Sequence, residues 1–174
     1  MTVPLIEGRH PLIVKSLAWL DEAACQACAQ ALASRPGIGS ALITLHGDLG
    51  AGKTTFARYL LGALGVPGRI KSPTYGVVES YQIDSSCEQT LPAVENILAI
   101  WHFDFYRFDD PQDWEDAGFR DIFASIGLKL VEWPDKAIGY LPLPDLAVHI
   151  DLQQDGSRCV KLAAYTPTGL ELLL

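Results

Sequence analysis

The chain has 174 residues, the length of one domain, and its 49% hydrophobic content can form a core without disulfides or structural metals. Thirteen basic residues stand against 21 acidic ones, a net charge of −8 that disfavours autonomous nucleic-acid binding. The chain lacks the signature of a signal peptide and an apolar run approaching the roughly 20 residues of a membrane-spanning helix. We predict a single cytoplasmic domain, residues 1–174, without membrane association.

The first half of the chain predicts alternating strands and helices. Residues 11–17 form an apolar run typical of a strand, and Asp21 suits the N-cap of a helix that ends near residue 34. Residues 41–46 form a short β-rich run that leads into a glycine-rich turn and a second helix over residues 53–64. This order is typical of an α/β layer fold.

The second half predicts further strands and a terminal hairpin. A short acidic helix is expected after Pro111, and Asp155 and Gly156 suit the turn of the hairpin. The predicted strands are residues 74–82, 97–103, 128–133, 145–152 and 158–165. Together these elements predict one α/β P-loop-like domain, with a mixed, mostly parallel central sheet, flanking helices and a C-terminal antiparallel hairpin.

Two of the four cysteines, Cys25 and Cys28, form a CxxC pair inside the first predicted helix. Such a pair can be redox-active or bind zinc, but no second CxxC supplies the remaining ligands. Small residues recur here at the four-residue spacing of a helix face. We interpret both cysteines as packing residues.

The strongest motif is the run GDLGAGKT at residues 47–54, which satisfies GxxxxGK[ST] between a predicted strand and a predicted helix. Its glycines let successive amide N–H groups turn toward a phosphate, and the following helix presents its N-terminus to the same anion. Lys53 supplies a cation for the β- and γ-phosphates, and the Thr54 hydroxyl is an oxygen ligand suited to Mg²⁺. The predicted nucleotide-binding run is Asp48, Leu49, Gly50, Ala51, Gly52, Lys53, Thr54 and Thr55.

Phosphoryl transfer also requires a carboxylate near the metal and a group that orients the nucleophile. Asp104 and Glu132 each follow a buried strand, and ligands of open α/β sheets bind at the carboxyl edge of the strands. We predict Lys53, Asp104 and Glu132 as catalytic residues, and Thr54 with the two acids as magnesium ligands.

Four further residues adjoin these motifs. Trp133 could pack near the nucleotide, and Thr74 lies in a loop extended by Pro73, where its hydroxyl could reach the γ-phosphate or the metal. For His102 and His46 we predict structural roles, because alternation along a strand is expected to turn them away from the site.

Four segments occur in one order along the chain: HGDLGAGKTTFARYLLGALGV from His46, KSPTYGVVESY from Lys71, HFDFYRF from His102 and LVEWPDK from Leu130. From about residue 12 to residue 165 the chain thereby resembles the bacterial TsaE family, also called YjeE. The resemblance implies a P-loop ATPase needed for N6-threonylcarbamoyladenosine at position 37 of tRNAs that read codons beginning with A. It also implies TsaB and TsaD as partners that stimulate a weak ATPase and hold the tRNA.

The resemblance assigns roles to individual residues. It makes Lys53 the phosphate clamp and Thr54 a magnesium ligand, and it places Asp104 and Glu132 at the metal and the γ-phosphate. Thr74 resembles the family's switch-like threonine. Arg158 is a further match in a poorly defined motif near the hairpin.

A P-loop is also compatible with three other classes of protein. A GTPase is disfavoured because the sequence contains neither NKxD nor DxxG, which leaves ATP as the nucleotide. A P-loop small-molecule kinase normally needs a lid rich in arginine, and only Arg69, Arg107 and Arg120 lie in the corresponding region. A nucleotide-dependent interaction switch, in which ATP orders the Thr74 loop, stays open.

Overall fold

The structure, a computed structural model, describes residues 6, 8–73, 77–84, 97–108, 114–115 and 117–174. In this part of the chain the strands are β1 (Ile13–Trp19), β2 (Leu42–His46), β3 (Val78–Asp84), β4 (Ile97–Asp104), β5 (Leu128–Glu132), β6 (Leu146–Leu152) and β7 (Arg158–Ala164). The α-helices described are α1 (Glu22–Ala33), α2 (Lys53–Ala63), α3 (Phe119–Ala124) and α4 (Pro167–Leu173). Short 3₁₀ turns occupy Ile38–Ser40 and Pro134–Ala137.

All seven described strands belong to one sheet, in the order β1-β7-β6-β2-β5-β4-β3. The four central strands β6, β2, β5 and β4 are parallel, whereas β3 on one edge and the β7–β1 pair on the other are antiparallel. This arrangement confirms the predicted α/β fold, with its parallel centre and its antiparallel hairpin β6–β7.

The sheet is covered on both faces. Helices α1 and α2 pack on one face through buried side chains such as Leu32, Phe56 and Leu60. An aromatic cluster that includes Phe103 and Phe119 covers part of the other face. Strand β5 is buried along its whole length, including its two charged residues Lys129 and Glu132.

The parallel centre positions the site. Strands β2, β5 and β4 lie side by side, and their registers bring the last residues of β4 and β5, Asp104 and Glu132, opposite each other. Helix α2 begins seven residues after β2 ends, so that its N-terminus faces the same edge. The carboxyl ends of three strands and one helix start therefore converge, as in other open parallel sheets.

Several predicted boundaries differ from the structure. Strand β1 starts at Ile13 rather than at residue 11, because its extent is set by pairing with β7 from Ala164 to Arg158. Helix α4 was not predicted, although Thr166 caps it by accepting a hydrogen bond from the Gly169 amide at 3.2 Å. The start predicted for a helix after Pro111 lies outside the described residues.

The two cysteines of the CxxC pair pack against the core from α1. Cys25 belongs to the buried cluster, and Cys28 is partly buried beside it. Burial raises the pKa of the Cys25 thiol to about 12, which disfavours the thiolate that a metal would need. Within the described residues, no helix has the length and apolar character required to cross a membrane.

Candidate functional site

The loop between β2 and α2 depends on glycine backbone. Gly47 has a φ of 139°, and a Cβ at this position would lie 2.3 Å from the carbonyl oxygen of Ile150 on β6. Gly52, in the left-handed region with a φ of 115°, forms the N-cap of α2. The chain can therefore make this turn, close against β6, only with glycine at these points.

The start of α2 differs from that of α1. In α1 the Asp21 carboxylate accepts a hydrogen bond from the Ala24 amide at 2.9 Å, whereas none of the described side chains caps the first turn of α2. The first amides of α2 and the positive end of its dipole are thus left for an anion within the loop. Leu49 at the tip of the loop is exposed, which leaves the loop open to solvent.

Lys53, the first residue of α2, is buried with only 5% of its surface exposed. Its Nζ donates hydrogen bonds to the carbonyl oxygens of Gly47 at 2.5 Å and Asp48 at 2.9 Å. The same nitrogen lies 3.8 Å from the centroid of the Trp133 ring, a cation–π contact. The ammonium group is therefore held across the mouth of the loop.

The charge of Lys53 is balanced by acids around it. Burial lowers the pKa of its ammonium group, and several acids oppose that shift, most strongly the carboxylates of Glu132 and Asp104. Since removal of a lone charge from water is unfavourable, the acids make this burial possible. The site is thus a compact group of opposite charges.

Glu132 is the central acid of the site. Only 1% of its surface is exposed, and it ends β5 beside Leu45 of β2. Its Oε2 accepts a hydrogen bond from the Thr54 hydroxyl at 2.8 Å, and its Oε1 lies 2.9 Å from Nε2 of His102. Both carboxylate oxygens are thereby fixed.

Asp104 occupies the corresponding position on β4. Its Oδ2 accepts a hydrogen bond from the Ser72 hydroxyl at 3.2 Å, and its Oδ1 accepts one from the Tyr106 amide at 3.0 Å. The backbone of Asp104 pairs with that of Glu132 across the parallel strands. The structure thus brings Lys53, Thr54, Asp104 and Glu132 to one edge of the sheet.

The prediction that alternation turns His102 away from the site is wrong. Residues two apart on a strand share a face, so that His102 and Asp104 lie on the same side of β4, and His102 contacts Glu132. The i, i+2 spacing of the HFD run was the signal that could have identified it. His46 fits the predicted structural role better. Its Nε2 is hydrogen-bonded to the Thr44 hydroxyl, and its ring stacks on that of His149 with 4.4 Å between the ring centroids.

Trp133 lies beside the site in an unusual backbone conformation. Its φ is 56°, in the left-handed region, and its ring packs 4.9 Å from that of Tyr106 in addition to covering Lys53. Thr74, predicted as a nucleotide contact, lies outside the described residues.

A small cavity of about 130 Å³ adjoins the loop on the side of α1. Arg158 lines it and donates a hydrogen bond from Nε to the carbonyl oxygen of Ala51 at 3.3 Å. Its other walls include Trp19, Gly52 and Thr55. The sequence analysis missed Trp19. No local sequence pattern indicates that an aromatic residue at the end of an edge strand lines a cavity beside a loop about 30 residues further along the chain.

A strand, a glycine loop and an uncapped helix with lysine and threonine at its start define a P-loop nucleotide-binding protein. The family model described as "Threonylcarbamoyl adenosine biosynthesis protein TsaE" matches residues 19–160. The chain belongs to the TsaE family.

Individual relatives agree with this assignment. The chain is 40% identical over 132 residues to the tRNA threonylcarbamoyladenosine biosynthesis protein TsaE of Haemophilus influenzae, covering 76% of this chain and 75% of that protein. The protein of the same name from Bacillus subtilis is 32% identical over 123 residues, covering 71% and 69% respectively. The crystal structure of YdiB from Bacillus subtilis superimposes with a TM-score of 0.64 at 27% identity, covering 92% of this chain and 93% of that one.

Proposed function

We propose that this chain is a magnesium-dependent ATPase that acts with TsaB and TsaD in the formation of N6-threonylcarbamoyladenosine at position 37 of tRNAs that read codons beginning with A. Family membership supports the pathway, because the relatives carry the name of that biosynthesis. The arrangement at the edge of the sheet supports the chemistry. The acidic composition of the chain favours a role in which the partner proteins hold most of the tRNA.

One observation carries the proposal of hydrolysis. Thr54 donates its hydroxyl hydrogen to Glu132, 78 residues further along the chain, and Asp104 pairs beside Glu132 on the next strand. Two buried carboxylates exceed the single charge of the buried Lys53, and a bound cation would balance the negative charge that remains. A phosphate-binding loop without catalysis would not need them.

The residues present fit Mg²⁺. Thr54, Glu132 and Asp104 offer one hydroxyl and two carboxylates, the hard oxygen donors that this ion prefers. When bound, the ion would neutralise negative charge that develops on the phosphate oxygens. The residues fit the nucleotide as well, since the glycine loop brings backbone close to an anion where a Cβ would collide.

The side chains of the chain would divide the work. Lys53 would exchange its bonds to the loop carbonyls for oxygens of the β- and γ-phosphates, which carry full negative charge. Glu132 would orient the attacking water and accept its proton, because the contacts with Thr54 and His102 fix the position of its carboxylate. Asp104, whose carboxylate is fixed by hydrogen bonds from Ser72 and Tyr106, would help to hold the metal ion.

Reconstitution with TsaB, TsaD and tRNA tests this function. We expect release of ADP and inorganic phosphate that depends on Mg²⁺ and rises when the partners are added, together with modified tRNA. Glu132→Ala should lower kcat for hydrolysis by about 100-fold or more, the scale of a lost general base, and should abolish repeated tRNA modification. Glu115→Ala, which removes an exposed acid, should leave both rates unchanged.

The same assay separates the alternatives. Full tRNA modification by a Glu132→Ala variant that no longer hydrolyses ATP would favour the interaction switch over the ATPase. Appearance of the γ-phosphate on a small-molecule acceptor instead of in inorganic phosphate would favour the kinase. Wild-type protein that neither binds nor hydrolyses ATP would refute the proposal.

A further inference from the structure

His102 is a buried polar side chain to which the proposed mechanism gives no role. It lies on β4 with none of its surface exposed, and its Nε2 is 2.9 Å from Oε1 of Glu132. Its other ring nitrogen, Nδ1, is buried and has no hydrogen-bond partner among the described residues. The polar contact made by the ring is therefore directed at Glu132.

The chemistry of the pair determines which nitrogen carries hydrogen. An ionised carboxylate only accepts hydrogen bonds, so Nε2 must be the donor. In the neutral ring the single N–H then lies on Nε2, and Nδ1 keeps its lone pair. Leaving Nδ1 without a partner is unfavourable, and a purely structural residue of this size could be apolar. The bond to Glu132 therefore accounts for a polar side chain at this buried position.

Glu132 is held from two sides, by the Thr54 hydroxyl on Oε2 and by His102 on Oε1. These two holds are not equivalent, because Thr54 is also the hydroxyl suited to Mg²⁺. A Thr54 hydroxyl that coordinates the ion can still donate its hydrogen to Oε2, but its position is then set by the ion and the loop. His102 holds Oε1 from strand β4, and its bond does not involve the ion.

We propose that His102 is a positioning residue, which keeps the Glu132 carboxylate oriented for catalysis while Thr54 serves the metal. This inference rests on the proposed ATPase function. It resembles the support that buried donors give to acidic and histidine ligands in metal sites, where loss of the supporting residue lowers activity or metal affinity by about 10- to 100-fold.

Two substitutions at His102 test the role by geometry. The amide nitrogen of glutamine reaches as far as Nε2 of histidine, whereas that of asparagine reaches only as far as Nδ1. We expect His102→Asn to lower kcat about 10- to 100-fold, and His102→Gln to retain kcat within about threefold. The KM for ATP should change little in either variant, because His102 does not contact the P-loop.

A matched control separates positioning from folding. Phe103→Leu removes packing from the next residue of β4, on the opposite face of the sheet, where Phe103 stacks on Phe105 and Phe123. It should lower Tm without lowering kcat at temperatures below unfolding. A similar loss of kcat in Phe103→Leu, or wild-type kcat in His102→Asn, would overturn the inference.

A spectroscopic measurement needs neither nucleotide nor activity. In the wild-type protein, NMR of the imidazole nitrogens should show the tautomer with hydrogen on Nε2 and a ring N–H resonance that shifts in Glu132→Ala. Hydrogen on Nδ1, or a resonance insensitive to Glu132→Ala, would overturn the positioning role. Absence of ATP hydrolysis in the wild type, with this resonance present, would instead refute the proposed function and leave the contact established.

Discussion

At the scale of single residues, the site is a set of charges that stabilise one another. Lys53 is buried beside Glu132 and Asp104, and burial lowers its pKa while those acids oppose the shift. Its Nζ is already bonded to two loop carbonyls and covered by Trp133. Phosphate oxygens would replace neutral acceptors with charged ones, which is the source of the expected affinity.

We expect Lys53→Ala to weaken ATP binding by about 10- to 100-fold, since a hydrogen bond to a charged group contributes about 1.5–3 kcal/mol. Isothermal titration calorimetry with ATP and Mg²⁺ would measure the loss. Lys15→Ala, which removes an exposed lysine from β1, makes the same change in net charge away from the loop and should bind as the wild type does. Equal affinity of the Lys53 variant and the wild type would contradict the assignment of this loop.

The residues of the site could be predicted unevenly from the sequence. The P-loop lysine and threonine and the two acids at strand ends follow from local patterns, and the sheet brings all four together. The contact of Trp133 with Lys53 was beyond sequence reasoning, because it depends on a left-handed backbone at a residue that is not glycine. His102 required only the correct period of a strand.

At the scale of elements, the P-loop follows strand β2 and packs closely against strand β6. The closeness of Gly47 to the backbone of Ile150 shows that the loop is shaped by the neighbouring strand as well as by its own sequence. A glycine loop of this kind transmits any change at its base to the amides that face the nucleotide.

We expect Gly47→Ala to destabilise the protein by about 3 kcal/mol or more, because the new Cβ meets a backbone atom and the conformation is strained for alanine. Nucleotide binding should be lost with it. Gly62→Ala in α2 is the matched control: no atom of the described residues lies within 4 Å of the added Cβ, and we expect about 0.5–1 kcal/mol of stabilisation. Urea unfolding of both variants would measure the difference, and equal effects would contradict the steric interpretation.

The elements themselves were predicted best where local signals agree. Strand β2 and helix α2 lie within one residue of their predicted bounds, because an apolar run, glycines and a helix start follow one another. Strand β1 was shifted by two residues, since an edge strand exposes Ile13 and Val14 and its limits come from its partner. Helix α4 was missed because a segment of seven residues is too short to show the helical periodicity of apolar residues.

At the scale of the whole molecule, β1 and β7, near the two ends of the described chain, lie side by side in the same sheet as the P-loop strand. We propose on this basis that the chain is one domain. Asp145 connects distant parts of the chain, because its carboxylate accepts hydrogen bonds from the Leu42 amide at 2.8 Å and from the Thr166 hydroxyl. The starts of β2 and α4 are thus tied to the start of β6.

The stability of this whole fold should depend on His149, which lies on β6 opposite His46 of β2. The pKa of His149 is lowered to about 4, chiefly by burial and to a lesser extent by His46 and Lys161, while Asp135 opposes the shift. Its Nε2 is buried and has no hydrogen-bond partner among the described residues. A protonated ring would therefore be poorly accommodated in the folded state.

Because the ordinary pKa of histidine is 6.5, the unfolded chain takes up a proton at His149 as the pH falls below that value, whereas the folded chain does so only near 4. The contribution of the neutral His149 ring to the free energy of unfolding is therefore complete above pH 6.5, and it is lost progressively as the pH falls toward 4. We expect His149→Gln, which cannot titrate, to flatten the fall in unfolding free energy measured with urea across this window. His10→Gln, at an exposed histidine, should keep the wild-type slope. A slope in His149→Gln as steep as that of the wild type would show that other groups set the acid sensitivity.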